Sequence, residues 1–152
     1  MTPRRLNPDS LHEKLNHMQG LLGRLERLGP MPRERLEADE VERAAAERWL
    51  TLLVETAVSI NLHVAASRLG RVGRDYTESF RLAAEAGLIH ADLAKGLAPS
   101  ASTRNQLVHG YLDIDLDMLA AAFALAPEQY SEYVRQVAEF VEREVREHRA
   151  LD

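Results

Sequence analysis

Apolar residues near the start of the chain fall at Leu11, Leu15, Met18, Leu22 and Leu25, in steps of four and three. That rhythm predicts an amphipathic helix of about five turns. Ser10 with Glu13 has the form of a capping box for its start, and Gly29-Pro30 is a stop. Residues 31–38 read as an irregular turn. Asp39 with Glu42 opens a second helix that runs to Leu69, just before Gly70. From Trp49 to Ala66 this helix is apolar on nearly every face, as a central helix enclosed by neighbours must be. The segment Gly70 to Asp75 reads as a loop, and Asp75 or Thr77 then caps a short helix carrying Phe80, Leu82 and Ala83 and closed by Gly87. A further helical pattern from Leu88 is kinked or restarted by Pro99, and reaches His109 with Gly110 at its stop. Asp115 begins a short helix to Leu125. Pro127 fits the first turn of a last helix striped by Tyr130, Val134, Val137, Val141 and Val145. No run alternates with the period of a strand. The expected fold is all-α: one domain over residues 1–152, an up-and-down bundle of about five to six helices.

Composition agrees with that pattern. The 152 residues are 45% apolar and 5% aromatic, enough for one sizeable core. Cysteine is absent, which removes disulfides, thiolate metal sites and thiol nucleophiles. The N-terminus has no apolar segment of the secretory type and no apolar run approaches the ~20 residues of a membrane span, so a cytoplasmic protein without a membrane partner is expected. The net charge of −5 disfavours a protein that coats nucleic acid, DNA included, through a broad basic surface. A small basic pocket on an acidic body remains open.

Several polar groups are candidates for chemistry. His12 and His17 are five apart, one residue too many for two ligands on one helical face, and no metal is expected there. Glu55, Asn61 and His63 interrupt the apolar central helix. They either satisfy core hydrogen bonds or line a cavity shared with later residues. Arg68, Arg71, Arg74 and Arg81 make the most basic neighbourhood, readable as a solvated loop or as a phosphate-facing rim.

The densest stretch is Arg104-Asn105-Gln106-Leu107-Val108-His109-Gly110-Tyr111. The bare spacing of arginine, four residues and histidine is weak evidence, since roughly 0.7 matches arise by chance in a chain this rich in arginine. A second copy, Arg143 to His148, sits in a charged terminal segment. The first copy differs in its company of Asn105, Tyr111 and a glycine stop. On a helix Asn105 shares a face with His109 and could orient its ring. Arg104 and His109 lie about 140° apart around the axis, so one helix presents them awkwardly and two helices across a two-fold axis would do better. Imidazole suits proton transfer at an RNA 2′-hydroxyl. A guanidinium stabilises the phosphorane-like charge that follows.

The same stretch, with Ile114-Asp115 after it, resembles the signature of HEPN-domain toxins of the HepT type. The likeness extends through Glu47-Arg48-Trp49-Leu50, Tyr76 to Phe80 and Ala86-Gly87-Leu88-Ile89. The resemblance implies a metal-independent endoribonuclease without a cofactor, whose site forms across a homodimer. Its motif, Arg-x4-His-x-Tyr, falls on Arg104, His109 and Tyr111. It further implies a cognate MNT nucleotidyltransferase antitoxin that transfers AMP to Tyr111. Arg104 and His109 would be catalytic with Asn105 beside them, while Asn61, His63 and Arg74 are possible supporting residues. Two other readings stay open. One is a non-catalytic module that holds a nucleotide or protein partner. The other is a structural motif in which Arg104 pairs with Asp113 or Asp115.

Overall fold

In a computed structural model that describes residues 5–110 and 113–151, six helices follow one another, with no strand among the described residues. They are α1 (Pro8–Leu28), α2 (Arg33–Ala38), α3 (Glu40–Leu69), α4 (Tyr76–Glu85), α5 (Ala91–His109) and α6 (Leu116–Leu151).

Helix α3 is the axis of the bundle. Ala46, Leu50, Leu53, Val54, Ala57, Val58, Ile60 and Val64 are all buried along it, with α1, α2, α4 and α5 packed around them. By length and composition alone α3 could cross a membrane, but its apolar side chains are spent in the protein core. Helix α1 lies antiparallel on α3: the backbone N–H of Asn7, at its start, reaches Nε2 of His63, near the end of α3. Helix α6 closes the bundle with the predicted stripe Tyr130, Val134, Val137 and Val141 and Phe140 beside it, to which the structure adds Tyr133.

Several expected boundaries move, each for an identifiable reason. Helix α1 begins at Pro8, not beyond Ser10, because Asn7 is the cap: its Oδ1 accepts from the Ser10 N–H at 3.1 Å, and Pro8 brings a preset φ. The segment 31–38 contains a helix rather than an irregular turn. Met31 and Leu36 plug the core there, and Arg35 donates to the carbonyls of Leu28 and Pro30 at 2.7 and 2.9 Å. The glycine stop at Gly29 (φ 79°) and the caps Asp39 and Asp75 stand as expected.

Neither internal proline breaks its helix. Pro99 lies within α5 and Pro127 within α6, where a proline costs ~3 kcal/mol. Burial on both sides holds each helix together: Leu97 and Ala101 flank Pro99, and Phe123, Ala126 and Tyr130 surround Pro127. The short helix expected from Asp115 and the last helix are therefore one. The Ser100 and Tyr130 hydroxyls, 2.6 Å apart, tie α5 to α6.

Candidate active site around Arg104

Position 104 lies near the end of α5, on the side that meets α3 and α4. The Arg104 guanidinium is held on three sides. Its Nη2 and Nε donate to Oε1 of Glu55 at 2.8 and 3.2 Å, and its Nη1 donates to Oδ1 of Asn105 at 3.2 Å. Its flat face lies 4.3 Å from the Tyr76 ring centroid, in cation–π range. The Arg104 side chain is only 15% exposed and that of Glu55 32%. Three of the five guanidinium N–H donors are thus engaged among the described residues.

His109 is the last residue of α5 and is exposed. Asn105 does not hold its ring: the amide oxygen of Asn105 faces Arg104 instead. The expected pairing of Asn105 with His109 is therefore replaced by a pairing with its own neighbour, because the buried guanidinium is the more demanding donor. Gly110 ends the helix with its N–H on the Gln106 carbonyl at 2.7 Å. A Cβ at Gly110 would sit 2.5 Å from that same oxygen, so the tight exit behind His109 requires glycine. Tyr111, the expected modification site, lies outside the described residues.

The three polar residues of α3 separate. Glu55 goes to Arg104. Asn61 is fully buried: its Nδ2 donates to Ser79 Oγ at 3.2 Å and its Oδ1 accepts from the Tyr133 hydroxyl at 2.6 Å. It is a core residue and does not join the Arg104 group. Burial raises the Tyr133 phenol well above its ordinary range, with nearby Tyr130 adding to the shift. His63 lines a cleft of about 680 Å³ between α1 and α3, whose wall also includes Glu55 and Tyr76. The cleft therefore shares two residues with the surroundings of Arg104. Tyr76 belongs to a stretch that carries the family likeness, but nothing in the sequence points to its place over Arg104.

The basic neighbourhood of Arg68 to Arg81 is largely neutralised. Arg68 pairs with Glu144, Arg71 with Glu85 at 3.0 Å, and Arg81 with Glu78 at 3.0 Å. Arg74 is exposed, and its backbone N–H donates to Glu78. The solvated-loop reading fits this segment. Asp113 and Asp115 do not pair with Arg104. Asp115 instead starts α6, with its Oδ1 accepting from the N–H groups of Asp117 and Met118. His12 and His17 are both exposed, and no cluster of three metal-ligating side chains occurs among the described residues.

A family model described as ribonuclease HepT-like matches residues 18–144, a span that contains Glu55, Tyr76, Arg104 and His109. The chain belongs to the HepT-like ribonuclease family. A tRNA nuclease HepT from Aphanizomenon flos-aquae is 37% identical over 102 residues, 66% of this chain and 68% of that relative. Among solved structures, the HEPN toxin of Shewanella oneidensis, tri-AMPylated and in complex with an MNT antitoxin, superposes with a TM-score of 0.77. It is 19% identical, and the match covers 88% of this chain and 99% of that one. A toxin–antitoxin structure with AMP-PNP gives 0.75, 19%, 87% and 99% for the same quantities. At such identities these two matches speak for the HepT-like fold alone. The family makes the Arg104–His109 helix part of a ribonuclease.

Proposed function

We propose that this HepT-like ribonuclease is the toxin of a two-component system and cleaves RNA without a metal, at a site built across a homodimer. The observation that carries this reading is the clamp on Arg104. Glu55 and Tyr76 fix the guanidinium at the end of the helix that presents an exposed imidazole, with two N–H donors unpartnered among the described residues. His109 takes the proton of an RNA 2′-hydroxyl, whose oxygen attacks the adjacent phosphorus. The bond from phosphorus to the 5′-oxygen breaks, and that oxygen takes a proton. The products are a 2′,3′-cyclic phosphate and a 5′-hydroxyl. Arg104 stabilises the charge gathered on the phosphoryl oxygens in between.

The separation of about 140° between Arg104 and His109 around α5 supports a two-chain site. The exposed His109 of one protomer can then face the Arg104 of the other. The antitoxin would be an MNT nucleotidyltransferase that transfers AMP to the Tyr111 hydroxyl, as the modified relative suggests by its state.

Purified dimer is expected to cleave RNA in chelator, with Arg104→Ala and His109→Ala each slower by about 10²–10⁴-fold. Cleavage by His109→Ala at the wild-type rate removes the catalytic claim. Incubation with the partner and ATP should add AMP to the wild-type mass but not to Tyr111→Phe. A non-catalytic binding module is favoured by one observation, the existing carboxylate partner of Arg104. It predicts that the dimer binds RNA or nucleotide and cuts nothing.

A further inference from the structure

Between helix α1 and helix α3, further cavities follow the cleft at His63: one at His17 and Leu52 that shares Lys14, Glu55 and Ser59 with it, and a separate one at Trp49. On α3 their wall is one face, with Trp49, Leu52, Thr56, Ser59 and His63 recurring at steps of three and four. On α1 their wall carries every basic residue of that helix. Lys14 lines the cleft beside Glu55, and Arg24 and Arg27 line a cavity of about 450 Å³ with Trp49 at the far end. From Lys14 to Arg27 is thirteen residues of helix, about 20 Å.

Arg35, Arg43, Arg81 and Arg135 each pair with a carboxylate, whereas Lys14, Arg24 and Arg27, like Arg48, Arg74 and Lys95, make no ion pair among the described residues. Of the two acids on the groove, Glu55 is engaged by Arg104 and only Glu13 remains. A row of uncompensated cations on a body of net charge −5 is a local field for a polyanion. At its end stands the chain's one tryptophan, half-buried with Arg24 and Arg27 beside it. Phosphate-binding cations beside an aromatic face are what a single strand with unstacked bases requires.

We propose that the α1–α3 groove is the track for a single-stranded segment of the RNA substrate. Lys14 meets the strand at one end of the track and Arg24 and Arg27 meet phosphates at the other, where Trp49 stacks a base, while Glu55 and Tyr76 join the track to Arg104. This rests on the ribonuclease reading for the identity of the polyanion. It adds a binding surface that reaches away from the scissile bond along one protomer, so that the strand is gripped at some distance from where it is cut.

The lone tryptophan makes the test direct. A twelve-nucleotide single-stranded RNA with 2′-O-methyl sugars cannot be cut, so it reports binding alone. Titrated onto the dimer, it should quench Trp49 fluorescence. Arg24→Ala/Arg27→Ala should bind about tenfold more weakly, with a log–log salt slope shallower by about 1.4 for two lost phosphate contacts. Lys14→Gln, which keeps the length of the side chain, should weaken binding in the same direction. Unchanged affinity in both variants together with unquenched fluorescence overturns the track. So does a change of oligomeric state in the double variant with RNA affinity intact, which would make the groove an interface between copies. Unmodified RNA run in parallel separates the two readings. Quenching without cleavage removes the ribonuclease function and leaves the track, whereas cleavage without any groove dependence does the reverse.

Discussion

Arg104 and Glu55 stand 49 residues apart in the chain, yet two nitrogens of the guanidinium converge on one carboxylate oxygen at 2.8 and 3.2 Å. The pair is shielded by the Tyr76 ring, 4.3 Å from the guanidinium carbon. Glu55 fixes the orientation of the guanidinium, two of whose N–H donors have no partner among the described residues.

Glu55→Ala should lower the kcat/KM of RNA cleavage by about 10–100-fold through a misplaced Arg104, with a stability cost of about 1 kcal/mol for a partly exposed pair. Glu55→Gln, which still offers an oxygen acceptor, should lose less. Arg104→Lys should be nearly as inactive as Arg104→Ala, because an ammonium lacks the planar fork and the stacking face. Steady-state cleavage and urea unfolding measure both effects, and full activity in Glu55→Ala would remove the positioning role.

Gly110→Ala places a Cβ against the Gln106 carbonyl, 2.5 Å away before relaxation. The chain must shift just behind His109. We expect a loss of about 1–2 kcal/mol together with slower cleavage. Retained stability and retained rate in this variant would show that the helix exit does not set the position of His109.

Asn61→Ala removes the nearer of the two acceptors of the Tyr133 hydroxyl, leaving the Ala57 carbonyl, and removes a donor to Ser79 inside the core. Unfolding should come about 2–3 kcal/mol earlier, while cleavage per folded molecule below the transition stays near wild type. A loss of rate without a loss of stability would instead return Asn61 to the site.

Glu47 offers a pH-dependent prediction. Burial raises its carboxyl above the ordinary range, against the opposing pull of Arg43, and its Oε1 has no hydrogen-bond partner among the described residues. The folded state therefore holds this proton more tightly than the unfolded chain. The stability it contributes is complete below the ordinary glutamate range and is lost as pH rises through the higher folded value. Glu47→Gln should flatten that decline and raise Tm at pH 7 by about 2 °C. Thermal melts of both proteins from pH 4 to 7 check the slope.

The places where sequence reasoning stopped short share a cause. Pro99 and Pro127 are strong local breakers, but a local rule cannot weigh Leu97, Phe123 and Tyr130 buried on either side of them. Asn105 and His109 share a helical face, and spacing alone pairs them. The preference for Arg104 follows only once that guanidinium is seen to be clamped and in need of an acceptor. Glu55, Asn61 and His63 were indistinguishable as polar breaks in an apolar helix. Each points around α3 to a different neighbour, and so each has a different use.

What the amino-acid order determined by itself was periodic or contiguous. It includes the helical class, the central place of α3, the caps at Asp39 and Asp75, and a motif whose eight residues sit on one helix end. These follow from steps of three and four and from backbone chemistry within a turn or two. The tertiary structure alone decided which groups meet across helices: Glu55 and Tyr76 around Arg104, Asn61 with Tyr133 in the core, and Arg24 and Arg27 of α1 beside Trp49. Those meetings depend on how helices pack, and packing is set by the summed burial of many side chains, which no local spacing records.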